Sequence, residues 1–130
     1  MINKKEKKSY YKESPYDSLD EISKLEDNWN GNGASKFSSE LIDKCNCILS
    51  KLHEDPKIFP TACGSVQFEF EDENGNYLEF EIYEDKVEIF LNSTLYDDKN
   101  KCDDIDHLVV DRMNSLILYF YDYKENLNND

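Results

Sequence analysis

The stretch SVQFEFEDENGNYLEFEIYEDKVEIF, residues 65–90, sets carboxylates at almost every second position, a spacing that can serve three kinds of chemistry. Paired carboxylates can offer hard oxygen ligands to a divalent cation. They can present a negative track to a basic groove. They can also do nothing more than face water. Nine acids lie between Val66 and Leu91 against one cation, Lys86. A second set of reactive groups sits in PTACGS, residues 60–65, where Thr61, Cys63 and Ser65 share a loop. A nucleophile there needs a base, and nothing in the local sequence ties His53 or His107 to Cys63. Cys45 and Cys47 stand two apart in a helical pattern, so their side chains diverge by about 200° and cannot share a metal. Neither a Cys-x-x-Cys pair nor a calcium-binding loop pattern is present, and no metal or cofactor is expected.

Charge narrows the partners. The 130 residues carry a formal net charge of −14. Residues 1–15 hold five lysines against two glutamates, a net of +3, so the remainder carries −17. Such a surface repels nucleic-acid backbone and anionic membrane alike and fits a basic protein. The lysine-rich start lacks the apolar stretch of a signal peptide, and the apolar run Leu116–Tyr121 is too short to span a bilayer. With four cysteines read as reduced thiols, the expected location is cytoplasmic.

The elements that must position the acids follow from periodicity. Val66, Phe68 and Phe70 share one face of a first strand, opposite Gln67, Glu69 and Glu71. In a second strand Leu78, Phe80 and Ile82 oppose Glu79, Glu81 and Tyr83; in a third, Val87, Ile89 and Leu91 oppose Glu88 and Phe90. Pairing must keep apolar faces together. A two-residue Asn74-Gly75 turn would set Phe70 against Glu79, whereas a three-residue loop Glu73-Asn74-Gly75, with Gly75 left-handed, pairs Phe70 with Leu78 and Phe68 with Phe80. That register forces Glu69 against Glu79. A two-residue Glu84-Asp85 turn then sets Glu81 against Glu88.

The rest of the chain reads as helix and connection. Residues 1–15 lack periodicity and read as a mobile Lys-rich arm, 16–127 as a single domain and 128–130 as a frayed tail. Ser18 and Glu21 form a capping box that predicts a helix over 18–29, with Leu19, Ile22, Leu25 and Trp29 on one face. Gly31 and Gly33 then turn the chain behind Trp29. Ser38 caps a second helix over 39–54, followed by an extended connection between Pro56 and Pro60. A fourth strand is expected near 93–96, and a last helix over 103–127, capped by Asp103 or Asp104. The segment LILYFY is apolar around more of the helix than one contact requires. It predicts a helix enclosed between the sheet and the first two helices or, alternatively, a homodimer interface.

The segments LEDNWNGNGASKFSSELI and PKIFPTACGSVQFEFEDENGNYLEFEIYEDKVEIF resemble a family of small bacterial and phage proteins with an Asn-Trp-Asp/Asn-Gly-x-Gly-Ala turn and an acidic-aromatic β-hairpin. Asn28, Trp29, Asn30, Gly31, Gly33 and Ala34 match its first part; Phe59, Pro60, Thr61, Gly64, Ser65 and Val66 match its second. Cys63 stands where that family often has arginine. The resemblance covers residues 19–90 and implies a shared α+β core. It also implies a place among the cargo of mobile elements in defence and counter-defence regions, with no activity attached.

The expected fold is α+β: two N-terminal helices, a three- to four-stranded antiparallel meander and a long C-terminal helix on one sheet face, with the glutamate face left open. The expected function is non-enzymatic. Glu69, Glu71, Glu79, Glu81 and Glu88, with Tyr83 and Phe90 as apolar anchors, would bind and inhibit a basic nucleic-acid-handling protein such as a nuclease, toxin or defence effector. This is the chemistry of a phage anti-defence inhibitor, and an antitoxin or immunity protein works by the same physics. The alternative is a small-ligand binder or enzyme using the Trp29–Gly33 and Pro60–Ser65 loops.

Overall fold

A computed structural model describes residues 14–92, 94–101 and 107–128 of the chain. The elements run α1 (Pro15–Ser23), α2 (Ser39–Lys51), β1 (Lys57–Pro60), β2 (Val66–Glu71), β3 (Tyr77–Ile82), β4 (Lys86–Leu91), β5 (Thr94–Lys101) and α3 (His107–Asn128). The fold is α+β, with a helix pair before the strands and one helix after them. The five strands form one antiparallel sheet in the order β1-β2-β3-β4-β5. The fourth expected strand is β5, and the Pro56–Pro60 connection supplies a fifth, β1, along the edge of β2. Residues 1–13 of the expected arm and the expected caps Asp103 and Asp104 lie outside the described residues.

The turns have the expected chemistry. Asp72 and Asn76 close a three-residue loop: the Asp72 N–H donates to Asn76 O at 3.0 Å, and Asp72 Oδ1 accepts from the Asn74 and Asn76 N–H groups. Gly75 holds φ at 79°. The second turn is the two-residue Glu84-Asp85 loop, closed by the Tyr83 N–H on Lys86 O at 2.9 Å. Phe70 therefore pairs with Leu78, Phe68 with Phe80 and Ile82 with Val87.

The first helix differs from its expected span. It begins at Pro15, not Ser18, and stops at Ser23, well short of Trp29. Proline's fixed φ suits the first helical position, where its missing N–H would be unpaired in any case. Pro15 therefore opens the helix instead of closing an arm, and Ser18 is buried inside it. The second helix starts as expected, with the Ser38 hydroxyl accepting from the Leu41 N–H at 3.1 Å.

All three helices cover one face of the sheet. Leu19 and Ile22 of α1, Leu41, Cys45, Ile48 and Leu49 of α2, and Val110, Met113 and Ile117 of α3 join Val66, Phe68, Phe80, Ile82, Val87 and Ile89 in a single core. Asn114 ties α3 to the end of α2: its Oδ1 accepts from the His53 N–H at 2.9 Å and its Nδ2 donates to Lys51 O at 3.0 Å. The last helix is not enclosed. Leu118 and Tyr119 lie on its outer side, 62% and 57% exposed. Among the described residues no helix is long and apolar enough to cross a membrane.

A Cβ added at Gly75 would meet nothing within 4 Å, so a side chain there costs only the left-handed backbone conformation. Gly75→Ala should lower the urea midpoint by the equivalent of about 1 kcal/mol with an unchanged m-value, and Gly75→Asn by less.

Candidate functional site

The side of the sheet away from the helices carries the acids. Its first cross-strand row is Lys57–Glu69–Glu79–Phe90, and its second is Phe59–Gln67–Glu81–Glu88. Glu71 and Tyr77 pair at one end. Both like-charge pairs forced by the register, Glu69–Glu79 and Glu81–Glu88, are present. Two members of these rows come from β1: Lys57 and Phe59 alternate with the inward Ile58. Proline on either side masked that alternation in the sequence.

The face is not open. Gln67, Glu69 and Glu79 are 0%, 4% and 1% exposed, and Phe59 lies buried in line with Gln67. This corrects the expectation that the glutamate face is left open. Glu81, Tyr83, Glu88 and Phe90 are half-buried, and Glu71 is exposed. Alternation assigns a residue to a face, but it carries no information on what lies over that face.

Two tyrosines reach the carboxylates from opposite ends of β3. The Tyr77 hydroxyl donates to Glu79 Oε1 at 3.1 Å, and the Tyr83 hydroxyl to Glu81 Oε2 at 3.3 Å. Gln67 Nε2 donates to Glu69 Oε2 at 3.0 Å, while Gln67 Oε1 is buried with no hydrogen-bond partner. Lys86 pairs with Glu88 at 2.6 Å and lies 4.7 Å from the centre of the Tyr83 ring. A buried carboxylate among like charges favours its proton. Burial first, and then the charge of Glu81, push the Glu79 carboxyl up to about 7. Burial and the neighbouring Glu79 and Glu69 charges raise the Tyr77 phenol, and burial with Glu81 raises Tyr83.

The cross-strand acid pairs do not gather a third ligand. Among the described residues no group of three or more histidine, cysteine, aspartate or glutamate side chains is placed to hold a metal ion.

The two loops that could have held a small ligand spend their polar groups on themselves. Asn28, at φ 68°, accepts from the Gly33 N–H through Oδ1 at 2.8 Å and donates its own N–H to Ala34 O at 2.6 Å. Asn30 Oδ1 accepts from the N–H groups of Asn32 and Ala34, and Asp27 Oδ1 from that of Lys36. Trp29 is half-buried, donates through Nε1 to Ser35 O at 3.1 Å and packs 6.0 Å from Phe37. Gly31 and Gly33 both take positive φ, as the turn requires. In the second loop the Thr61 and Ser65 hydroxyls bond to each other at 2.6 Å, buried, leaving Cys63 exposed. His53 is exposed, with its backbone N–H committed to Asn114. Cys45, which is free, is packed in the core, where burial raises its thiol to about 12.

No protein-family model, no curated protein and no solved structure matches the chain.

The Glu79 carboxyl makes stability depend on pH with a definite sign. Its folded value of about 7 lies above its ordinary value of 4.5. Its contribution is therefore intact below pH 4.5 and is lost as the pH rises through 7. That loss amounts to about 3 kcal/mol at most. Urea midpoints measured across this range should fall more steeply with pH for the native chain than for Glu79→Gln. Equal slopes would show that Glu79 titrates as an ordinary carboxyl.

Proposed function

We propose that this chain is a binding protein that receives a basic partner on the exposed part of its acidic face, and that it acts by occupying that partner's nucleic-acid-binding surface. The observation that carries the reading is the cross-strand pair Glu81–Glu88, half-buried and bordered by the exposed turn acids Glu84 and Asp85. Nature of the neighbours supports it too: Tyr83 and Phe90 give the same surface apolar contact area, and Lys86 is already committed to Glu88. Half-buried carboxylates held by a strand are fixed in position, so they lose little freedom on docking. Their charge steers a basic protein in quickly, and salt weakens that attraction.

Burial divides the acids between two tasks. Glu81, Glu88 and Glu71 can meet a partner as they stand, whereas Glu69 and Glu79 are buried in the face. A nuclease, a toxin or a defence effector has the basic groove this surface fits. Inhibition of a defence effector and neutralisation of a toxin are two uses of one interaction. A soluble partner of that kind suits a chain with this charge balance.

Capture from the lysate of the native host, with the wild-type chain and Glu81→Lys/Glu88→Lys compared, tests the reading. A basic protein should be retained at about 0.1 M salt and lost at about 1 M, where the screening length falls from about 10 Å to 3 Å. The double reversal should abolish capture, each change costing about 2 kcal/mol or more of binding, with an unaltered far-ultraviolet dichroism spectrum. Retention that ignores both salt and charge reversal would overturn it.

A further inference from the structure

Phe59 is buried in a place where the described layers leave it bare. It stands in β1, the edge strand, on the side of the sheet away from the helices: Ile58 pairs inward with Phe68, and Phe59 outward with Gln67. A ring there has β2 on one flank and, among the described residues, no strand on the other. The three helices and the Trp29 turn pack on the opposite side. Yet Phe59 is 2% exposed, and Gln67, Glu69 and Glu79 beside it are as deeply buried. An antiparallel sheet packed on one face commonly leaves the other to water. Tyr77 and Tyr83 close part of this face over Glu79 and Glu81, but both start from the ends of β3, two strands or about 10 Å from the edge ring. More of this chain therefore lies over β1 and β2.

Charge and connection select which part. The segments outside the described residues are 1–13, 93, 102–106 and 129–130. Residues 102–106, CDDID, leave β5 at the far edge and carry three acids, which the glutamates repel. Residues 129–130, ND, follow α3 and add one more acid, and residue 93 lies in the β4–β5 turn. Residues 1–13, MINKKEKKSYYKE, hold five lysines against two glutamates. They lead into α1, and α1 packs against β1, so they join the fold beside the edge that Phe59 occupies. Thirteen residues span at most about 45 Å. Rounding the edge and crossing to β3 takes about 20 Å. The chemistry matches as well. A lysine ammonium has three donors and no acceptor, and this face offers carboxylates together with Gln67 Oε1, which is buried without a donor.

We propose that residues 1–13 are an internal strap, docked by charge over the outer face of β1, β2 and β3. Its lysines meet the acids of β2, Glu69 and Glu71, while Ile2, Tyr10 and Tyr11 supply apolar cover for Phe59. The strap stops short of β4 and the second turn, which leaves Glu88 half-buried and Glu84 and Asp85 exposed. It is a property of the free chain and does not depend on the partner proposed above. If that reading holds as well, the strap is a built-in basic occupant that confines the partner to the Glu81–Glu88 side of the face.

NMR on the full chain tests this, with nuclear Overhauser contacts sought between protons of residues 1–13 and the rings of Phe59 and Tyr77. Such contacts are expected, and within one chain, so a mixture of labelled and unlabelled protein should show none between copies. Their absence would overturn the proposal, as would contacts found only between copies. A variant with Lys4, Lys5, Lys7, Lys8 and Lys12 all changed to Glu should lose the contacts. In it, broadening of the Phe59 ring signals by a neutral gadolinium chelate should rise several-fold, while the signals of Phe68 on the helix side stay protected. A Phe59 ring equally shielded in that variant would remove the charge-held strap. Should the variant fail to fold, the contacts in the native chain decide alone. Because no partner enters the measurement, failure here leaves the acidic-surface reading to its own test.

Discussion

Every strand pair in this sheet must keep its phenylalanines on one side, and the Phe68–Phe80 pair at its centre sets the terms for everything around it. Both rings are fully buried. A slip of one residue would turn each of them to the opposite face, because the side-chain period of a strand is two. Burying a phenylalanine contributes about 1.5–3 kcal/mol, whereas two like charges set opposite each other cost about 0.2–1 kcal/mol. The apolar face therefore wins, and Glu69 opposite Glu79 and Glu81 opposite Glu88 are what it leaves behind on the other side. The acid pairs need no selection for pairing as such. What does call for explanation is that glutamate occupies those positions at all, where threonine or lysine would satisfy the same register.

The central meander was legible because two independent signals agree in it. Alternation assigns Val66, Phe68 and Phe70 to one face, and the turn chemistry of Gly75 leaves a single loop length that keeps those faces together. Where only one signal is present, reading fails. Ser18 and Glu21 have the spacing of a capping box, yet Pro15 three residues earlier starts the helix, and the serine ends up inside it. Depth is harder still. Nothing in FEFE or LEFE distinguishes a glutamate facing water from one that is 1% exposed. The contribution of Phe59 to the outer face depends on a neighbouring strand six residues further along, which no local pattern encodes.

The tryptophan turn shows the opposite case, in which a motif with the look of a ligand loop turns out to be internally satisfied. Asp27, Asn28 and Asn30 each spend a side-chain oxygen on backbone N–H groups between Asn32 and Lys36. The glycines and asparagines are there to fold the chain back from α1 to α2. Asn114 does comparable work at longer range, joining α3 to the end of α2, about sixty residues away in the chain. Such a tie leaves no trace in sequence spacing.

The edge strand β1 has a further consequence for how the molecule behaves in company. It is four residues long, is preceded by Pro56 and ends on Pro60, and it carries an exposed Lys57. Proline has no N–H to offer, and a short, charged edge gives an incoming strand too few partners to continue the ladder. Growth of the sheet by another chain is blocked on that side. At the other edge the β5 sequence TLYDDKNK places four charged residues among eight. Charged borders of this kind disfavour edge-to-edge association, whatever the acids in the middle of the sheet do.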